Sequence, residues 1–196
     1  MTNNKYLNNL FIPEFKETET GTIYQGWRGG NAAKWRDDKE LKALILADLK
    51  QCGIKATLRF RNAGYLTAFT LTLTITPDHI KNYNDWKKEN FKIDFYGWNL
   101  YTDTTGAIDY IYGDEIDTNN AELIENIART QYKKEVENLT AAGVYHRDRV
   151  DVLTDDGNEI FQAAKMILDS YNSDNSNAQI DYFDRGFYEN ISFKIK

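Results

Sequence analysis

Alternation of apolar and polar residues is clearest between positions 54 and 75. Its apolar positions are Ile54, Ala56, Leu58, Phe60, Phe69, Leu71, Leu73 and Ile75. Because successive side chains of a β-strand point to opposite faces, this period of two predicts strands with one buried face. Asn62-Ala63-Gly64 supplies turn residues between the two halves, so we expect a β-hairpin. A similar alternation of Ile191, Phe193 and Ile195 predicts a final strand that joins the sheet.

Helical spacing of apolar residues marks other segments. Candidate helices span residues 37–52, 77–88, 118–142 and 155–171. The first begins at a capping Asp37 or Asp38 and stops at Gly53. The second begins at Pro77, which loses no hydrogen bond in a first turn. Expected inward positions of the third helix are Leu123, Ile124, Ile127, Val136 and Leu139, and those of the fourth are Ile160, Phe161, Ala164, Ile167, Leu168 and Tyr171.

The remaining segments are less regular. Residues 1–36 are expected to form an irregular or short-stranded N-terminal segment, because glycines punctuate them. Phe91, Ile93 and Phe95 predict another strand, and strands or loops are expected in the aromatic, acidic stretch from 97 to 113 that follows. Since no repeat, linker or low-complexity block divides the chain, we predict one α+β domain over residues 1–196, with its core at 37–196. Its architecture is a mainly antiparallel sheet with helices packed on it.

Composition indicates a folded protein. Hydrophobic residues make up 41% of the chain, which holds 13 Tyr, 10 Phe and 4 Trp and is therefore unlike a disordered sequence. Cys52 is the only cysteine, so no intrachain disulfide is possible. No apolar stretch approaches the roughly 20 residues of a membrane helix, and the opening residues lack the apolar core of a signal peptide. We expect a cytoplasmic protein that does not enter a membrane.

Motifs for catalysis are incomplete in this chain. His146-Arg147-Asp148 is similar to the catalytic loop of protein kinases but lacks the Asn that this loop needs, which favours a solvated turn. Gly26-Trp27-Arg28-Gly29-Gly30-Asn31 could hold an anion, yet without the Lys and Ser/Thr of a phosphate loop a plain turn is favoured. Asp155-Asp156-Gly157-Asn158-Glu159 is similar to a calcium loop, but Val152 occupies the first ligand position, so a helix N-terminus is expected.

Metal ligands and nucleophiles are also sparse. His79, His146 and Cys52 lie far apart in sequence, which argues against a metal held by soft ligands. Cys52 falls on the apolar face of its helix, so a buried structural role is favoured over a thiol paired with a histidine. We therefore expect no catalytic residues, no metal and no cofactor. An enzyme whose site no motif encodes stays as a third alternative.

Charge is distributed unevenly along the chain, whose formal net charge is -6. We call residues 93–128 the acidic tract, because they contain no Lys or Arg. Its carboxylates are Asp94, Asp103, Asp109, Asp114, Glu115, Asp117, Glu122 and Glu125. Basic residues concentrate before residue 62, and Lys55, Arg59 and Arg61 share the polar face of one predicted strand. The acidic tract favours a cationic partner, whereas the basic strand could touch nucleic acid.

Part of the chain resembles a known family. The helix Leu41–Leu49, the segment Gly53–Arg61 that follows it, and Asp181–Tyr188 are similar to the twenty-ninth type of large polyvalent protein-associated domain. The threonine-rich stretch Thr67–Thr76 departs from the Ser/Trp-containing strand usual there, and residues 1–36 have no counterpart. The resemblance carries no catalytic residues. It implies an accessory protein of phages or conjugative elements, some of which are suspected of protecting incoming DNA from host defences.

The mobile-element origin that the resemblance implies and the charge of the acidic tract together indicate an anti-defence protein in a bacterial host. We expect it to inhibit a CRISPR nuclease or restriction enzyme by stoichiometric binding of its acidic surface to a basic nucleic-acid-binding site. Expected contact residues are Asp109, Asp114, Glu115, Asp117, Glu122 and Glu125. The alternative is a nucleic-acid-binding accessory protein of a mobile element that uses the basic hairpin. Its expected contact residues are Arg28, Lys55, Arg59 and Arg61.

Overall fold

The regular structure comprises helices and short sheets. The computed structural model describes residues 4–8, 10, 14, 16–20, 24–32, 34, 37–63, 66–93, 99–102, 108–110, 120–141, 149–174 and 187–196. The α-helices described are α1 (Asp38–Gln51), α2 (Tyr83–Asn90), α3 (Ala121–Ala141) and α4 (Asp155–Tyr171). The strands are β1 (Lys16–Thr20), β2 (Tyr24–Arg28), β3 (Ala56–Ala63), β4 (Leu66–Ile75), β5 (Lys92–Ile93), β6 (Asn99–Thr102), β7 (Ile108–Tyr110), β8 (Ser173–Asp174) and β9 (Tyr188–Ile195). Within the described residues, 3₁₀ turns cover Lys5–Leu7 and Pro77–His79.

The α+β class is confirmed. Strands are arranged as β1-β2-β8, β3-β4-β9 and β5-β6-β7, and all described pairings except that of β4 with β9 are antiparallel. The predicted hairpin is β3-β4, and its last pair is Ala63 with Leu66. Asn62 and Ala63, which were predicted as turn residues, are therefore the last paired residues of β3. The final strand joins the sheet as predicted, but parallel to β4.

The hydrophobic core lies between the β3-β4-β9 sheet and helices α1 and α4. Side chains no more than 1% exposed there include Leu41, Ile45, Leu49, Leu58, Leu71, Leu73, Phe161, Ile167, Leu168 and Ile191. They come from the apolar positions of the alternating strands and of the helical patterns, so each pattern faces the same interior. Burial of this apolar surface is the main favourable contribution to folding. Every inward position predicted for α4 is buried.

Helix boundaries follow local capping chemistry. The Asp37 carboxylate accepts hydrogen bonds from the amides of Lys39 and Glu40, at 2.8 and 2.9 Å, and so caps α1. Gly53 has φ +74°, a left-handed conformation that glycine adopts without strain, and follows the C-cap Cys52. The Thr154 hydroxyl caps α4 by accepting from the Gly157 amide at 3.2 Å. The calcium-like segment is thus a helix N-terminus, as expected.

The single helix predicted from Pro77 to Lys88 is wrong, because the chain is extended in its middle. A 3₁₀ turn covers Pro77–His79, after which Ile80 forms an antiparallel bridge with Leu153. The Lys81 amide then donates to the Val152 carbonyl at 2.9 Å. Only beyond this contact does the Asn82 side chain accept from the Asp85 amide and cap α2. A long-range pairing has therefore displaced local helix propensity.

Leu123 was also predicted to face inward, and this is wrong. Its side chain is 39% exposed, whereas Leu139 further along α3 is 1% exposed. Leu123 lies in the first turn of α3, which begins at Ala121. The buried stretch of the helix begins further along, at Ala128, so the first turn is not covered by the core.

The N-terminal segment contributes to the core. The short strands considered for residues 1–36 are present as β1 and β2. The turn Lys5–Leu7 contacts α4, and Tyr6, Leu7 and Leu10 pack against the main hydrophobic cluster. The boundary expected at residue 36 therefore does not separate this segment from the core.

Candidate functional site

The solvent side of the β3-β4-β9 sheet carries the most uniform chemistry among the described residues. We call the positions from Lys55 to Arg61 on β3, with their partners on β4 and β9, the outer face. Its cross-strand rows are Lys55, Thr74 and Lys194; Thr57, Thr72 and Ser192; Arg59, Thr70 and Asn190; and Arg61, Ala68 and Tyr188. Arg61 and Tyr188 are assigned to the outer face only from the strand register of their backbones. Of its described side chains, Lys55, Thr57, Arg59 and Lys194 are exposed, and those on β4 are half-buried.

All charges on the outer face are positive. Lys55, Arg59 and Lys194 are exposed, and the register adds Arg61. None of these rows contains an Asp or Glu, although the whole chain has a net charge of -6. Among the described residues, no carboxylate forms an ion pair with Lys55, Arg59 or Lys194. The three cations therefore contribute a positive potential at this face.

Hydroxyl groups occupy the middle of the outer face. Thr70, Thr72 and Thr74 follow one another along the central strand β4 and are half-buried. The hydroxyls of Thr72 and Ser192 are 3.1 Å apart and share a hydrogen bond, so the row continues onto β9. Hydroxyl and amide side chains flanked by Lys and Arg are the groups that proteins use to contact nucleic-acid phosphates. The arrangement fits a polyanion lying along β4.

A buried asparagine holds β9 in place. Asn172, which follows α4, is fully buried; its side-chain amide donates to the Phe187 carbonyl, and its side-chain oxygen accepts from the Phe187 amide, both at 3.0 Å. The same oxygen accepts from the Ser173 amide at 2.9 Å, and the amide also donates to Glu189. Asn172 thereby fixes the start of β9 relative to the end of α4.

Only part of the acidic tract is described. Asp114, Glu115 and Asp117 lie outside the described residues, and Asp109 is placed on β7 by its backbone only. Glu122 is exposed in the first turn of α3. Glu125, the remaining expected contact, is engaged within the molecule.

Glu125 forms two ion pairs. Its carboxylate lies 2.6 Å from the Lys87 ammonium and 2.7 Å from the Arg129 guanidinium. The hydrogen bond from Lys87 holds the pKa of Glu125 below its ordinary value. Arg129 also lies over the Tyr83 ring, at 4.5 Å from its centroid. The network joins α2 to α3, so Glu125 is less available to a partner than Glu122. Its i,i+4 spacing from Arg129 was visible in the sequence, whereas its contact with Lys87 was not.

The basic residues expected to bind nucleic acid are partly brought together. Lys55, Arg59 and the position of Arg61 share the outer face, whereas Arg28 is exposed on β2, in the β1-β2-β8 sheet. Sequence reasoning missed Lys194. It stands at a polar position of the predicted C-terminal strand, but nothing local indicated that this strand pairs with β4.

The glycine-rich segment, residues 26–31, forms hydrogen bonds with the end of α4. The Gly29 amide donates to the Asn172 carbonyl at 2.8 Å, and the Asn31 amide donates to the Ser170 carbonyl at 2.7 Å. A Cβ at Gly29 would lie 2.2 Å from the Asp169 carbonyl oxygen, so no larger residue fits. Both amides are occupied by carbonyls, which supports a structural turn and not an anion site. His146-Arg147-Asp148 lies outside the described residues.

A second polar cluster joins the N-terminal turn to α4. The Asp156 carboxylate accepts from the Tyr6 hydroxyl at 2.8 Å, pairs with the Lys5 ammonium and lies 3.7 Å from His79 Nε2. The hydrogen bond from Lys5 holds the pKa of Asp156 below its ordinary value. Burial, followed by the bond to Asp156, raises the pKa of Tyr6 to about 12. These contacts attach Lys5–Leu7 to the first turn of α4.

Cys52 and the possible metal ligands provide no reactive centre in the described part of the chain. Cys52 is 8% exposed, and burial, followed by the nearby Asp48 carboxylate, raises the pKa of its thiol. This favours the unreactive thiol over the nucleophilic thiolate. Across the described ranges, no three His, Cys, Asp or Glu side chains lie close enough to share a metal ion. None of the helices described there has the length and apolar character needed to cross a bilayer.

Comparison with known proteins gives no relative. No protein-family model, no curated protein and no solved structure matches the chain. Its function must be argued from its own surface.

Proposed function

We propose that this protein is a nucleic-acid-binding accessory protein that contacts the phosphate backbone through the outer face. The observation that carries the proposal is the charge of that face, which holds Lys55, Arg59 and Lys194 without a carboxylate in a chain of net charge -6. Cations that neutralise phosphates release condensed counterions, and this release supplies most of sequence-independent binding. The resemblance to domains of phages and conjugative elements is compatible with such a role.

Edge lysines also occur for a simpler reason. Exposed Lys on an edge strand prevents sheets of separate molecules from pairing. Because β3 and β9 are the two edges of this sheet, that role would account for Lys55 and for Lys194 alike. The two roles predict different defects, because losing a guard residue increases aggregation whereas losing a phosphate contact weakens binding.

A second candidate is the anti-defence inhibitor. We propose that in this case the acidic tract occupies the basic groove of a CRISPR nuclease or restriction enzyme, as a phosphate array would. The lack of Lys and Arg across residues 93–128 and the exposure of Glu122 favour it. Glu125 is already paired with Lys87 and Arg129, which counts against it as a contact to the partner.

One experiment separates the two candidates. Fluorescence anisotropy of labelled single-stranded and duplex DNA should show binding by the purified protein and weaker binding by Arg59→Glu. Lys88→Glu is the matched control, because it makes the same charge change at an exposed position on α2. Equal affinities of the two variants would overturn the outer-face proposal.

A pull-down after nuclease treatment tests the inhibitor. The anti-defence inhibitor would be favoured if the protein recovers a nuclease in stoichiometric amount and the Glu122→Gln variant does not. This conclusion would be stronger if the protein itself does not bind DNA. If the Glu122→Gln variant recovers the same amount of nuclease, Glu122 is not a contact.

A further inference from the structure

We infer that β9 supplies the second side of the binding site, with Lys194 as a phosphate contact equivalent to Lys55. This inference rests on the proposed function and extends it to a strand that is far from the hairpin in sequence. It also defines the ligand as a single phosphate backbone lying along β4, contacted without regard to base sequence.

The register sets Lys55 and Lys194 opposite each other. The Thr74 amide donates to the Lys55 carbonyl at 2.7 Å, and Thr74 pairs with Lys194 on the other side. Neighbouring strands lie about 4.8 Å apart, so the two lysines flank β4 with about 10 Å between their backbones. Both side chains are exposed and long enough to lean toward a ligand on the central strand.

The side chains between Lys55 and Lys194 can donate hydrogen bonds to phosphate oxygens. Threonines at 70, 72 and 74 place hydroxyl donors along β4, one every two residues, or about 6.7 Å. Such donors read phosphate and sugar, not base edges, so little sequence preference is expected. Arg59 and the register position of Arg61 continue the cationic side along β3.

An anionic membrane surface is the other polyanion to consider. Peripheral membrane binding usually combines positive charge with apolar side chains that enter the headgroup boundary. Among outer-face positions whose side chains are described, only Ala68 is apolar; the others are Thr, Ser, Asn, Arg or Lys. The surface therefore favours nucleic acid over lipid.

Salt dependence provides the quantitative test. If Lys55, Arg59, Arg61 and Lys194 each neutralise one phosphate, log K for single-stranded DNA should fall against log salt with a slope of about -2.8, and for duplex DNA of about -3.6. Lys194→Gln should reduce the magnitude of the single-strand slope by about 0.7. Extrapolation of that change to 0.15 M salt corresponds to an affinity loss of about fourfold.

Matched variants distinguish this inference from the proposed function. Lys55→Gln and Lys194→Gln should change the slope equally, whereas Lys88→Gln should leave it unchanged; circular dichroism checks that each variant is folded. Thr72→Val should weaken binding without changing the slope, because it removes a donor and no charge.

Different results would overturn the role of β9 and the proposed function. Weakening by Lys55→Gln together with no effect of Lys194→Gln would overturn the role of β9 and leave the hairpin site intact. Absence of DNA binding by the unaltered protein would overturn both claims, as would binding to anionic phospholipid vesicles in place of DNA.

Discussion

Replacement of Asn172 by alanine should destabilise the protein severely and loosen β9. The side chain is fully buried and provides both partners of the Phe187 backbone, its amide and its carbonyl, at 3.0 Å each. Phe187 is 1% exposed, so water cannot easily replace either partner. Each buried backbone group left without a hydrogen bond costs about 1–3 kcal/mol, which gives a loss of about 2–6 kcal/mol in the free energy of unfolding.

The assay is denaturant unfolding, followed by hydrogen exchange of the β9 amides. Asn172→Ala should shift the midpoint by the stated free energy and speed exchange along Tyr188–Ile195, because the start of the strand is no longer attached to α4. Asn126→Ala, at an exposed position on α3, is the control and should stay within about 0.5 kcal/mol of the unaltered protein. A loss below about 1 kcal/mol for Asn172→Ala would refute the claim that this residue holds β9.

Further predictions concern other contacts. Gly29→Ala should cost about 1–3 kcal/mol in thermal or denaturant unfolding, because its Cβ would meet a backbone oxygen at 2.2 Å; an unchanged midpoint would contradict this. The lowered pKa of Asp156 means that its pairing with Lys5 stabilises the fold above about pH 4 and is lost as pH falls through the lowered value. The difference in unfolding free energy between the unaltered protein and Asp156→Asn, less than about 1 kcal/mol at pH 7 because the pair is exposed, should therefore shrink as pH falls below about 4, and a constant difference would refute it. Glu125→Gln should lower the melting temperature at low salt and less so at high salt, because it breaks the ion pair with Lys87; equal effects at both salts would argue against that pair.

Elements with strong local signals were predictable from the sequence. Asp37 and Gly53 mark the ends of α1 because capping depends on residues within one turn. The hairpin and α4 were predictable because their apolar periods are long and regular. In these elements local chemistry and tertiary packing favour the same structure.

Features that depend on distant pairing were not predictable. The break at Ile80 arises because that residue bridges to Leu153, more than seventy positions away in the sequence. The parallel pairing of β9 likewise cannot be read from its alternation, which only shows that one face is buried. The candidate site depends on this pairing, so the sequence indicated Lys55 and Arg59 but not Lys194.

Charge on the outer face should dominate the binding of nucleic acid. The most direct measurement compares the salt slope of DNA binding for two triple variants. One replaces Lys55, Arg59 and Lys194 by Gln, and the other replaces the exposed Lys39, Lys88 and Lys134 by Gln. The first variant should lose most of the slope, and the second should retain it. Equal slopes for the two variants would show that the charges of the outer face do not bind DNA.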